Sequence, residues 1–347
     1  MPPAPPAPPA PAPAPAPSGP SVKLGATLFA DYTYTSSPES TDADGRAFHP
    51  QAFNVTRSYL NITGNLSRSI AFRFTPDIAR ETGSGSSLNG SLVFRIKYAY
   101  VQANLDQWMA PGTWARLGVQ QTPIVDFQET VYRYRFQGTV FAEREGYLSS
   151  SDAGASFHYS LPGNYGEIHA GVFNGETYRK AEVNDQKALQ LRGTVRPFAK
   201  RSPVLRGLRV TGFYDADHYV RTAERRRAIV GATYEHAHVN AGYDYLRASD
   251  QTSVSAAQAN ASGSSFWATP RAGNGWEGLF RVDRLTPNRA FPDQTRTRTI
   301  VGAAYWVPLS SGVSSAFLLD YDRLVSSGSP QKVPTDRRIA IHALVSF

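Results

Sequence analysis

From Val22 to Phe347, apolar residues recur at every second position, a period that suits half-buried strands and no helix. Val22, Leu24, Ala26, Leu28, Ala30, Tyr32 and Tyr34 share one face of the first such run. Lys23, Gly25, Thr27, Asp31 and Thr33 share the other, with Phe29 the exception. A tilted strand needs about 9–11 residues to cross a bilayer, and this run supplies them. The pattern returns in Ala153–Leu161, Leu208–Tyr214, Ala228–Tyr234, Val239–Tyr245, Thr299–Val307 and Val313–Tyr321. No apolar stretch approaches the roughly 18 residues of a helical span. The negative mean hydropathy, −0.37, therefore excludes a helical membrane protein. It leaves room for a barrel, whose lipid-facing and lumen-facing residues average out.

Such segments fall near 22–34, 52–66, 69–78, 92–105, 114–121, 152–161, 165–174, 188–198, 207–216, 227–236, 238–248, 264–271, 275–285, 297–307, 312–323 and 337–347. Their even number, about sixteen, is that of a bacterial single-chain barrel. The connections alternate between short and long, the long ones near 35–51, 79–91, 122–151, 175–187, 217–226, 249–263, 286–296 and 324–336. Short periplasmic turns and long outer loops produce that alternation, and a soluble sandwich has no reason for it. The last strand is the most telling. Ile339, Ile341, Ala343, Val345 and Phe347 share a face, opposed by Arg338, His342 and Ser346, with Leu344 the apolar exception. An amphipathic final strand ending in Phe is similar to the signal read by the barrel-assembly machinery. The expected fold is thus all-β: a transmembrane antiparallel β-barrel over 22–347 in the bacterial outer membrane. Residues 1–21, a Pro/Ala tract, are expected to be a disordered periplasmic segment. Met1 leads straight into that tract, read here as a processed N-terminus, so export is inferred from the rest of the chain.

Charge narrows the function. Thirty Arg and six Lys give a net +8, scattered at alternate strand positions and not gathered into a patch, which favours a lined cavity over nucleic acid. A charge facing lipid near the midplane costs about 2–4 kcal/mol, so the lumen is its natural address. Lys23, Arg73, Arg116, Arg192, Arg196, Arg209, Arg227, Arg281, Arg298 and Arg338 fall in the lumen phase, as do Asp31, Asp77, Glu167, Asp215, Glu235, Asp244, Glu277, Asp283 and Asp320. Part of the arginine is expected to form salt bridges in the wall, leaving a mild anion preference. Tyr32, Tyr34, Tyr159, Tyr214, Tyr305 and Tyr321 fit an interfacial girdle. With no cysteine, no Gly-rich phosphate loop before a helix and no Ser/His pair to nominate, the sequence points to no catalytic residue, cofactor or enzyme. His236-Ala237-His238 falls at a turn and is not read as a metal pair.

Several stretches resemble the phosphate-selective porin O and P family. They are Phe53-Asn54-Val55-Thr56-Arg57-Ser58-Tyr59-Leu60-Asn61-Ile62, Ala99-Tyr100-Val101-Gln102, Leu117-Gly118-Val119-Gln120-Gln121-Thr122-Pro123-Ile124, Arg144-Glu145-Gly146 and Gly171-Val172-Phe173-Asn174-Gly175. Gln121 stands where the family has lysine, and Ile124 where it has an aromatic. The resemblance implies a homotrimer with a long third loop folded into each pore. Here that loop is 122–151, with Arg133, Arg135, Arg144, Asp126, Glu129 and Glu143 as its constriction charges. The expected function is passive diffusion of small hydrophilic solutes, mildly anion-preferring and possible for phosphate. The alternative is a structural barrel anchoring an envelope complex. Expected partners are membrane lipid, lipopolysaccharide, the assembly machinery and the solutes themselves.

Overall fold

A computed structural model describes residues 19–309 and 312–347 of the protein. Most of the Pro/Ala segment assigned to 1–21 lies outside the described residues, and Ser21 already pairs with Asn65. The strands are β1 (Ser21–Ser37), β2 (Gln51–Asn65), β3 (Ile70–Arg80), β4 (Leu92–Asn104), β5 (Trp114–Gln121), β6 (Ser151–Leu161), β7 (Gly166–Phe173) and β8 (Ala188–Val195). There follow β9 (Leu208–Val220), β10 (Ala223–His236), β11 (Val239–Asp250), β12 (Ala259–Pro270), β13 (Trp276–Thr286), β14 (Thr295–Trp306), β15 (Ser314–Ser327) and β16 (Asp336–Ser346). Each pairs antiparallel with its sequence neighbour, and β1 also pairs with β16. The result is a closed sixteen-stranded antiparallel barrel with no free edge. At the seam Thr27 faces Ser346 and Tyr34 faces Ile339, while Ala26 and Phe347 exchange N–H···O bonds of 3.0 Å in both directions.

Three boundaries differ from the sequence reading. Residues 217–226, expected as a long loop, instead form the ends of β9 and β10 around a tight turn at Arg221 and Thr222. Asp217 faces Arg225 across that hairpin and pairs with its guanidinium, so charges that suggest a loop in fact zip the strands. The twelfth strand begins at Ala259, ahead of residue 264. Arg196 falls just past β8, where Asn164 and the Arg206 carbonyl hold it at the turn end of the barrel.

Alternation distributes the side chains as it must for a closed wall. Leu24, Phe53, Phe94, Val101, Leu117, Leu191, Val230, Val301, Leu319 and Ile341 lie exposed on the outside. Thr75, Gln120, Ser156, His169, Thr194, Thr211, Asn240, Ser265 and Asp320 are buried within. This is a soluble protein turned inside out. Four irregularities shift the register locally: one leaves Thr56 extra in β2, another Lys97 in β4, and two near strand ends leave Ser36 and Tyr219 extra. The inner face is also divided. From β9 round to β16 it carries Phe213, Ile229, Leu246, Leu279, Leu285, Ile300, Leu318 and Leu344, joined by Phe29 of β1, whereas β2 to β8 are mostly polar, with Tyr98, Tyr100 and Phe173 buried among them.

Candidate functional site

The segment after β5 covers that apolar half. Helix α1 (Pro123–Val131) starts with Pro123, whose missing N–H costs nothing in a first turn, and carries Asp126 where the helix dipole favours a carboxylate. Beyond it Tyr132, Tyr134 and Phe136 point the same way from extended chain, their rings 6.2 Å and 5.6 Å apart in sequence. Tyr132 meets Trp267 at 5.1 Å, Tyr134 meets Trp306 at 5.9 Å and Phe136 meets Phe29 at 6.3 Å. Helix α2 (Phe141–Arg144) adds Phe141 and Ala142 to the same cluster. Full burial of each such aromatic contributes about 1.5–3 kcal/mol, so the cluster holds the segment firmly to the wall.

Polar contacts fix its position. Glu277 of β13 accepts from Arg133 Nη1 and the Tyr134 hydroxyl, each at 3.0 Å, and forms an ion pair with Arg271 at 3.0 Å. Asn240 donates to the Val131 carbonyl at 3.0 Å, Arg281 to that of Thr139 at 2.9 Å and Arg227 to that of Tyr147 at 3.0 Å. Glu145 pairs with Arg296. Arg135 binds Glu129 at 2.5 Å and Glu143 at 3.3 Å, so these three satisfy one another within the segment. Arg144 donates to Gln137 at 2.9 Å, folded over Gly138, where a Cβ would strike the guanidinium. Asp126 forms no ion pair among the described residues. Burial pushes its carboxyl up from the usual value, against the pull of Arg116, Arg192 and Arg73.

The lumen-phase arginines divide sharply. Arg192 pairs with Glu167, Arg209 with Glu235, Arg227 with Asp250, Arg281 with Asp283, Arg298 with Asp322 and Arg338 with Asp336. Arg73 and Arg116 have only neutral partners: Thr75 and Asn61 for the first, Gln102 and Gln121 for the second. Arg73 lies over Tyr98 at 4.4 Å, and Arg116 over both Trp114 at 3.7 Å and Tyr100 at 4.6 Å. Lys23 and Arg73 both face Thr63 across the strands and line a cavity of about 250 Å³ with Tyr100 and Gln102. Lys97 completes the group, bonded to the Tyr59 hydroxyl at 3.1 Å. Among the described residues none of these four cations forms an ion pair, and all four lie on β1 to β5, opposite the segment's apolar footprint.

Sequence reasoning missed Lys97, Arg57 and Arg95. The bulges at Thr56 and Lys97 break the period on which phase was read. Pro76, opposite the second bulge, was the one available signal, since a proline in a strand marks an irregular ladder. The assembly-signal residues Ile339, Ile341, Val345 and Phe347 lie exposed on the outer face. His236 and His238 sit with rings 5.4 Å apart at the β10–β11 turn, and among the described residues no three His, Asp or Glu side chains are arranged to hold a metal ion.

No protein-family model matches the sequence, and no curated protein does. Solved structures match over nearly the whole chain. An anion-selective porin from Comamonas acidovorans is 13% identical, with a TM-score of 0.63, over 94% of this chain and 99% of that one. OmpT with loop L8 deleted, an outer membrane protein of Vibrio cholerae, is 14% identical, with a TM-score of 0.63, over 95% and 100%. The outer membrane channel DcaP of Acinetobacter baumannii is 13% identical, with a TM-score of 0.60, over 95% and 98%. At such identities the likeness is one of fold, shared with outer-membrane porins and channels.

Proposed function

We propose that the chain is an outer-membrane porin, a water-filled channel through which small hydrophilic solutes diffuse passively, with a mild preference for anions. One observation carries the preference: Lys23, Arg73, Lys97 and Arg116 lack carboxylate partners, while most other lumen arginines are neutralised. A fixed charge about 5 Å from a permeating ion in water is worth about 0.8 kcal/mol, roughly a fourfold enrichment, before salt screens it. These cations are spread over β1, β3, β4 and β5 along one wall, which supports a general anion preference. The exposed apolar belt supports a lipid surround, with lipopolysaccharide against the loop end and the N-terminal tract on the periplasmic side. A structure of OmpT from Vibrio cholerae is described as a trimer form, which supports a homotrimer here. The β16 face ending in Phe347 is proposed as the segment the assembly machinery reads.

The test is single-channel recording with a KCl gradient. The parent barrel should conduct steadily with an anion-selective reversal potential, and Arg73→Gln with Arg116→Gln should lower the anion-to-cation permeability ratio several-fold. A barrel that does not conduct would favour the envelope-anchoring alternative. An unchanged ratio in the double variant would remove the cationic wall as the source of selectivity.

A further inference from the structure

The loop between β7 and β8, residues 174–187, enters the same lumen. The Gly175 N–H donates to Asp152 Oδ2 at 2.8 Å, and its carbonyl accepts from Arg225 Nη2 at 2.6 Å. The Tyr178 N–H donates to the Ser151 carbonyl at 3.1 Å. Between these anchors Thr177 is held at φ +68°, a left-handed conformation that β-branched residues rarely adopt. Strain of this kind persists only where surrounding structure enforces it, and it clusters where a side chain must be aimed.

Here the side chain being aimed is Tyr178. Its hydroxyl accepts from Arg95 at 3.1 Å, and its ring lies 4.9 Å from the Arg95 guanidinium and 5.8 Å from Lys97 Nζ. Lys97 beneath it is only 1% exposed. The Tyr59 hydroxyl and the faces of Tyr59 and Tyr98 contact it, and the charges of Arg135, Glu129, Arg57 and Glu143 act on it from further off. Glu129 and Glu143, the carboxylates of the inward segment, are engaged by Arg135. A buried ammonium with no ion pair of its own, its nearest carboxylates shared with Arg135, is only partly compensated. Lifting the Tyr178 ring would uncover this ammonium.

We propose that Tyr178 is a lid at the loop end of the cationic wall, and that a small permeating anion (halide, phosphate or carboxylate) displaces its ring from Lys97. The proposal rests on the anion-channel reading above and adds a residue that decides which solutes reach the wall. Arg95 then holds the lid from its hydroxyl, while Lys97 offers the charge that the incoming anion neutralises.

Because the chain has no cysteine, Lys97→Cys provides a single reporter. The rate at which a negatively charged methanethiosulfonate modifies it from the loop side reads the lid directly. With Tyr178→Ala the rate should rise on the order of tenfold, and with Tyr178→Phe, which keeps the ring but loses the Arg95 hydrogen bond, it should rise by a smaller, intermediate factor, as for a shifted local opening. Equal rates with and without the ring would overturn the lid while leaving the channel reading intact. Loss of anion-selective conductance in the parent barrel would instead strike the reading on which the lid rests. Should Lys97→Cys not fold, Tyr178→Ala with Lys97 in place should raise time-averaged conductance by about twofold, and an unchanged value would overturn the proposal.

Discussion

Glu277→Gln isolates what holds the inward segment in place. Its carboxylate accepts from Arg133 and Tyr134 and pairs with the Arg271 guanidinium, each at 3.0 Å, with only 6% of the side chain exposed. Removing one member of a fully buried ion pair costs about 3–5 kcal/mol. The Arg133 side chain is 36% exposed and Arg271 18%, so solvent screens part of that loss, and the amide retains one acceptor. A cost of about 2 kcal/mol remains, which multiplies the detached-segment population roughly thirtyfold. The freed chain has room to move into, a cavity of about 460 Å³ lined by Arg133, Arg206, Asn240 and Arg271. In planar bilayers the variant should show more frequent conductance fluctuations and a reversal potential shifted further toward anions, because two guanidiniums lose their counter-charge. Amides around Tyr132–Phe136 should exchange hydrogen faster. Fluctuations, reversal potential and exchange all matching the parent would refute the claim that Glu277 anchors the segment.

Three further outcomes follow from the same geometry. Val101→Arg places a charge on the exposed outer face and should cost about 2–4 kcal/mol in urea titrations of barrels folded into lipid vesicles. Phe347→Ser should cut the yield of assembled barrel in cells several-fold while barrels refolded in detergent still form, since the Ala26 seam bonds use only backbone atoms. Lowering the pH below neutral should raise the anion-to-cation ratio sooner than an ordinary aspartate would, because burial raises the Asp126 carboxyl and it takes up its proton early on the way down. Asp126→Asn should remove that part of the pH response.

The strand count and the closed wall were legible because a two-residue period is local and repeats sixteen times. The exceptions to that period carried as much information as the rule. Phe29 and Leu344, misfits on polar faces, are inner-wall residues that belong to the buried cluster under the segment. Ile229, Leu246, Leu279 and Ile300 complete that footprint, and the sequence reading singled out none of them. Two other features were hidden. Bulges displaced Lys97 from its phase, and ion pairing between neighbouring strands, as in Arg298 with Asp322, depends on register. Which cations stay unneutralised is therefore a property of the folded wall, not of charge counting. Tyr178 was invisible for a similar reason: its role arises where one loop reaches across to β4.

The two-sided lumen separates calibre from sign. Trimming or enlarging an apolar side chain between the segment and β9 to β16, Phe136 or Leu318 for instance, moves one jaw of the opening without altering any charge a solute meets. Exchanging a residue on β3, β4 or β5 resets electrostatic taste with the jaws left where they were. A barrel built this way can be retuned for size and for charge by independent substitutions, neither of which must compensate for the other.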